Sequence, residues 1–236
     1  MDKVSILKSS RFCTKHIKKR PNGELTASQV SVGSLFDHRY HSVKSLKELS
    51  ELLKFVQNDA HSFVVRGELI DEANNSQIRR RVRPRDGEEP TFKAAARRWC
   101  CIDVDEIDLP EHLADFKINR EAIVAYTSSQ LPEQFHNVQC WYQFSSNMGI
   151  KQGKVRLHLW YWLSRPCTDE EMKGWLQESP VDLALFNPVQ PHFTANPIFV
   201  DGAIDPFPDR SGMYEPSDIM EVAVPELIPS VVVKKV

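Results

Sequence analysis

The feature that most constrains this chain is a ten-residue alternation, KVRLHLWYWL at 154–163. With a two-residue repeat, Val155, Leu157, Leu159, Tyr161 and Leu163 fall on one face, while Lys154, Arg156 and His158 fall on the other. Such a segment is a strand whose apolar side must be covered by a core. Its other side carries a row of donors. Lys and Arg bring charge and His a directed donor, so the row suits phosphate oxygens. An exposed basic strand edge would account for Lys154 and Arg156. It accounts less well for His158, which is set among Leu157, Leu159 and Trp160. Trp160 and Trp162 share the His158 face and are expected beside a pocket, whereas Trp141 and Trp175 are expected in the core.

A second strand, RWCCIDV at 98–104, runs into Asp-x-Asp. Asp103 and Asp105 then point to one side, and Ile102 and Val104 to the other. Two parallel carboxylates repel unless a cation sits between them, and oxygen ligands suit hard ions such as Mg²⁺ or Mn²⁺. The plainer alternative is a solvated acidic loop, given Glu106 and Asp108 nearby. A third segment, NPIFVDGAIDP at 196–206, offers Asp201 and Asp205, each after an apolar residue, and Arg210 follows as a candidate phosphate contact.

The rest of the chain supplies a frame for these segments. Residues 1–36 are basic and read as a strand or two around the turn Pro21-Asn22-Gly23. Val43, Leu46, Leu49, Leu53 and Val56 have helical spacing, so 43–56 reads as a helix. Residues 62–70 and 138–144 read as strands, 71–93 as a long loop, 119–130 as a helix, and 189–200 as extended. Thr168 with Glu171 three positions on forms a capping box that announces another helix. The mixture predicts an α+β fold with a mainly antiparallel sheet.

Several alternatives fall away. GIKQGKV at 149–155 has too few residues between its glycines for a phosphate loop and leads into a strand. Cys13-x-x-His16 and His38-x-x-His41 hold zinc-ligand types, but in no standard spacing and with the second pair in a turn-like polar run, so ordinary surface histidines are the preferred reading. Five irregularly spaced cysteines fit a reducing compartment better than a disulfide framework. No apolar run reaches the length of a signal-peptide core or a bilayer span, so a cytoplasmic protein is expected.

Charge is sorted along the chain. The total of −2 excludes a wholly basic nucleic-acid binder. Yet residues 76–98 hold eight basic residues against three acids, and 99–140 hold two against eight, so blocks of +5 and −6 adjoin. A basic arm that includes Arg79, Arg80, Arg81 and Arg83 could track a phosphate backbone, and a solvated loop explains it equally well.

RRWCCIDVDEID, SSNMGIKQGKVRLHLWYWLSRP and TANPIFVDGAIDPFPDRSG, in this order, resemble the archaeo-eukaryotic primase superfamily. The likeness is to the small primase-polymerases of phages, plasmids and integrated mobile elements, and it spans roughly residues 60–215. It implies an RRM-like catalytic sheet with a smaller N-terminal αβ unit. That gives a catalytic domain over 1–215, with subregions of about 1–98 and 99–215, and a tail or linker over 216–236. It implies that Asp103 and Asp105 hold two divalent ions, Mg²⁺ or Mn²⁺, with Asp205 as the further carboxylate and Asp201 as its alternative. It assigns His158 and Arg156, with Ser146 and Lys154, to the nucleotide triphosphate. The expected reaction is template-directed nucleotidyl transfer on single-stranded DNA, with nucleoside triphosphates as substrates and a replicative helicase as a further partner. Two other readings compete: a non-catalytic replication or origin-binding module on the same fold, and a metal-dependent Asp-x-Asp glycosyltransferase. The latter would need a βαβ nucleotide-binding unit before the motif, and the first 98 residues show little such periodicity.

Overall fold

A computed structural model describes residues 1–226 apart from 106 and 151–152. The chain begins with β1 (Asp2–Ser9), β2 (His16–Lys19), β3 (Leu25–Ala27) and β4 (Phe36–Val43), then α1 (Leu46–Val56), β5 (Ser62–Val65), β6 (Glu68–Leu69) and β7 (Phe92–Lys93). It continues through β8 (Arg97–Val104), α2 (Arg120–Ser128), β9 (Cys140–Phe144), β10 (Leu157–Cys167), α3 (Asp169–Leu176), β11 (Ile198–Val200) and β12 (Ser211–Tyr214).

Local chemistry explains the helix starts. The Ser45 side chain accepts from the Glu48 amide and opens α1, whose Leu46, Leu49, Leu53 and Val56 are buried. The capping box of Thr168 and Glu171 forms in full at the head of α3. The β2–β3 hairpin turns at Gly23, whose φ of +89° a side chain would strain.

The largest sheet has the order β12-β9-β10-β8, antiparallel throughout. The chain passes through it as β-α-β-β-α-β, with β11 inserted before the last strand. That order matches an RRM-like unit, but the strand placement differs: the last strand lies beside the second (β9) and not beside the first (β8). Two three-stranded sheets, β4-β1-β5 and β11-β2-β3, complete an α+β fold of mostly antiparallel sheets.

Both faces of the large sheet are covered. Ile102, Val104, Leu157, Leu159, Tyr161 and Leu163 pack with Ile123 and Val124 of α2 and Met172 and Leu176 of α3. The other face presents Trp99, Cys101, Trp141, Trp160 and Trp162 to α1 and to Val4, Ile6 and Val64 of the small sheet. Each fully buried large side chain contributes on the order of 1.5–3 kcal/mol. Arg66, itself buried, ties the layers together: its guanidinium donates to the Asp169 carboxylate at 3.0 Å and to the carbonyls of Trp99 and Cys167. Removing either partner strands a buried charge, at a cost of about 3–5 kcal/mol.

The structure corrects three expectations. The polar run that holds His38 and His41, read as turn-like, lies in β4, because full-length pairing with β1 buries Phe36, His38 and Val43. His38 is therefore no surface histidine; burial pushes its pKa down to about 4. Among the described residues, no three His, Cys, Asp or Glu side chains come together as a metal-ligand group, so the zinc alternative is not assembled. Trp160 and Trp162 are core residues.

Part of the segment read as a tail or linker, 216–236, lies among the described residues. Its first residues pack on the body: Val222 is fully buried and bonds through its backbone to Trp162 and Ser164, and Glu221 pairs with Arg98. Residues 227–236 lie outside the described ones. Contacts run across position 98: β11 pairs with β2, and His192 bridges to Val64. Among the described residues, no helix is long and apolar enough to cross a membrane.

Candidate functional site

Strand registry builds the site. His158 on β10 lies opposite Asp103 on β8 and opposite Gln143 on β9, and Gln143 lies opposite Ser211 on β12. Directly opposed residues share a face. An acid, an imidazole, an amide and a hydroxyl therefore form one row across all four strands. Beyond it, Ser145, Ser146 and Asn147 leave the end of β9, and Asp105 leaves the end of β8.

A cavity opens over this row. Its lining includes Asp103, Asp105, Gln143, Ser146, His158 and Arg210. The opposite wall comes from segments far away in sequence: Thr14 and Lys15 before β2, and Phe193, Asn196 and Pro197 before β11. Thr14 ties these two segments together, its hydroxyl proton shared between the carbonyls of Ala195 and Asn196.

Each carboxylate faces a basic side chain from β10 or the residues before it. The His158 Nε2 lies 3.3 Å from an Asp103 oxygen, and an Arg156 nitrogen lies 3.4 Å from Asp105. Burial opposes charge on His158, but the Asp103 and Asp105 carboxylates outweigh it and hold the imidazole above its ordinary pKa. Asp105 is raised above the usual carboxylate value, first by burial and then by the charge of Asp103. The His158–Asp103 contact is one of charge more than alignment, because that Asp103 oxygen is buried without a well-formed hydrogen bond.

The sequence candidates divide accordingly. Asp103, Asp105, Ser146, His158 and Arg210 come together in the cavity, and Arg156 reaches it through Asp105. Asp205 instead grips Arg210, accepting from its Nη2 at 2.5 Å, while Arg210 Nη1 donates to the Ser145 carbonyl. Asp205 thus aims the arginine, and it is not grouped with the carboxylate pair. Asp201 is exposed and pairs with Lys18. Lys154 pairs with Asp108 at 2.8 Å, outside the cavity.

The arginine segment is more structured than an arm. Glu88 takes both Arg79 and Arg81, while Arg83 is exposed. Arg80 donates to the Val189 carbonyl and lies over the rings of Phe36 and Phe63. Arg97 and Arg98 belong to β8, and Arg97 is buried against Asp2 and Glu68.

Sequence reasoning missed Thr14, Lys15, Gln143, Asn147 and Asn196. Alternation in VQCWYQF does put Gln143 on the same face as Trp141, a usable signal. The other four are placed by long-range packing and carry no local signature.

Asp103 and Asp105 are of the ligand type that a hard divalent cation takes. They leave one strand on one face, one of them has a buried oxygen without a hydrogen bond, and burial and then the charge of Asp103 raise the pKa of Asp105. Among the described residues, no third ligand completes the set.

Comparison with known proteins gives one relative of note. The chain is 24% identical over 214 residues to an Escherichia phage T5 protein named "Putative replication origin binding protein". The match takes in 85% of this chain but 22% of that protein, so the chain spans less than a quarter of the length of its relative. No protein-family description matches the chain, and no solved structure matches it.

Proposed function

We propose that this chain acts in DNA replication of a phage or related mobile element, as a primase-polymerase that joins nucleotides on a single-stranded DNA template. The observation that carries the reading is the single cavity that collects Asp103, Asp105, Ser146, His158 and Arg210 from three separate sequence motifs. The similarity to a phage T5 protein named for replication-origin binding supports the replication setting.

In this reading Asp103 and Asp105 hold Mg²⁺ or Mn²⁺. The bound cation supplies Lewis acidity toward a hydroxyl and neutralises phosphate charge. The protein does the rest by positioning. Arg210, braced by Asp205 and the Ser145 carbonyl, offers a fixed guanidinium to a triphosphate. His158 and Arg156 add positive charge beside the carboxylates, where it counters developing phosphate charge. Ser146 supplies a hydroxyl donor at the cavity rim. A 3′-hydroxyl attacks the α-phosphate of the incoming nucleotide and gives up its proton to solvent; the O3′–P bond forms as the bond from the α-phosphorus to the bridging oxygen breaks, and pyrophosphate leaves. Arg79, Arg81 and Arg83 contribute to template binding on the outer surface, and a replicative helicase is the expected partner.

A second reading has its own support. The name of the phage T5 protein points to origin DNA binding, and His158 and Arg156 already lie against both carboxylates without a cation. One experiment separates the two. The protein is incubated with single-stranded DNA, Mg²⁺ or Mn²⁺ and labelled ribo- or deoxynucleotides, and the products are sized. Primer-length products that vanish in Asp103→Asn/Asp105→Asn support the polymerase. DNA binding without synthesis, unchanged in that variant, supports the binding module.

A further inference from the structure

Gln143 is 4% exposed and lines the cavity, yet only half of its amide is used. Its Nε2 donates to the Thr194 carbonyl at 2.6 Å. A carbonyl can only accept, so this bond fixes the amide: nitrogen toward Thr194, oxygen away from it. That oxygen, Oε1, is buried and has no hydrogen-bond partner. Its cross-strand neighbour His158 is in the same condition, since Nε2 faces Asp103 while Nδ1 is buried without a partner. Buried polar atoms rarely stay unpaired, because each costs about 1–3 kcal/mol. The indole nitrogens of Trp141 and Trp160 are also unpaired, but in the core; Gln143 and His158 differ in lining a cavity, side by side, where a ligand group has room.

The chemistry of that group follows from the pair. Gln143 Oε1 accepts only, so the ligand must donate to it. The ligand must also satisfy His158 Nδ1, which accepts or donates according to where the imidazole proton lies. A hydroxyl does both, because its oxygen accepts and its proton donates. A phosphate oxygen without a proton cannot serve Gln143, and an ammonium cannot serve a donating Nδ1.

We infer that Gln143, with His158 beside it, reads a sugar hydroxyl of the nucleic-acid substrate, making Gln143 a specificity-determining residue of the cavity. This rests on the nucleotide reading above and names the group that the reading leaves open. Thr194 fixes the Gln143 amide, and the facing Ser211 spends its proton on Gln57 at 2.8 Å, not on Gln143 Oε1.

The test is equilibrium binding, which needs no turnover. ATP, 2′-deoxy-ATP, 3′-deoxy-ATP and 2′,3′-dideoxy-ATP are titrated with Mn²⁺ into the full chain. Single-stranded oligonucleotides with or without a terminal 3′-hydroxyl are titrated in parallel. Wild type is expected to bind at least one hydroxyl-bearing probe about 5–10-fold more tightly than its hydroxyl-free counterpart, the worth of one hydrogen bond. The nucleotide arm and the oligonucleotide arm tell whether the hydroxyl belongs to the incoming nucleotide or to the primer end. In Gln143→Met, which keeps bulk and loses the acceptor, the ratio falls to about one. Equal wild-type binding of all members of both series overturns the inference and leaves the nucleotide reading standing. A ratio retained in a folded Gln143→Met also overturns it. Failure of wild type to bind any nucleotide or oligonucleotide overturns the inference and the nucleotide reading together. The wild-type comparison keeps the inference falsifiable even if the variant does not fold.

Discussion

Two neighbouring rows on the same face of the large sheet have opposite fates. One row is Cys101, Trp160, Trp141 and Met213; the other, two residues along each strand, is Asp103, His158, Gln143 and Ser211. The strands and the pleat are the same. The first row lies under α1 and the small sheet, and its Cys101, Trp160 and Trp141 are completely buried. The second lies where that cover stops and the walls from Thr14–Lys15 and Asn196–Pro197 begin. Sheet geometry sets which residues are neighbours, and the overlying layer decides whether a row becomes core or site. The apolar row anchors the polar one: side chains packed at crystal-like density hold β8, β9 and β10 in register, so the acid, imidazole and amide stay aligned.

The contrast can be broken at either row. The largest effect is expected from Asp103→Asn/Asp105→Asn. Primer synthesis should fall by about 10³-fold or more, while the urea midpoint falls only by the contribution of the His158–Asp103 pair, because Asp105 is half-exposed. Collapse of the fold would show that the polar row also carries stability. In the apolar row Trp160→Ala should do the reverse, lowering unfolding free energy by about 3–5 kcal/mol through the cavity it leaves. A stable Trp160→Ala protein would break the division of labour.

The pH dependence of the His158–Asp103 pair is a smaller effect with a definite sign. The folded imidazole titrates above its unfolded value of about 6.5. The pair therefore stabilises the fold fully below that value, and the contribution is lost as pH rises through the raised folded one. Asp103→Asn should flatten this decline in urea midpoint and shift the His158 ring titration downward by NMR. A wild-type ring that titrates at or below the ordinary value would refute the pairing.

Least is expected from Arg79→Ala/Arg81→Ala/Arg83→Ala, because Glu88 already engages two of these residues. Affinity for single-stranded DNA should drop a few-fold, with a shallower salt dependence. Unchanged affinity and salt slope would move the template surface elsewhere. Arg80 is kept out of this variant, since its packing over Phe36 and Phe63 makes its loss a matter of stability.

The sequence by itself determined whatever is periodic or local. A strand's two-residue repeat is a property of the backbone, so the faces of 98–104 and 154–163 were legible, including the common side of Asp103, Asp105 and His158. The start of α3 was equally legible, because a capping box closes within four residues. The polar strand β4 was not, since what makes it a strand is pairing with apolar β1, about thirty residues away.

Only the tertiary structure decided which of the faced residues matter. The sequence offered Asp205 as a carboxylate for a cation, and the fold turned it onto Arg210. It offered Trp160 to the pocket, and α1 covered it. It offered four consecutive-looking arginines to DNA, and one of them folded inward. Gln143, unremarked in the sequence, became a buried acceptor because Thr194, fifty-one residues on, took its amide nitrogen. Each of these outcomes depends on a contact between segments far apart in the chain, and no local pattern encodes where a distant segment will come to rest.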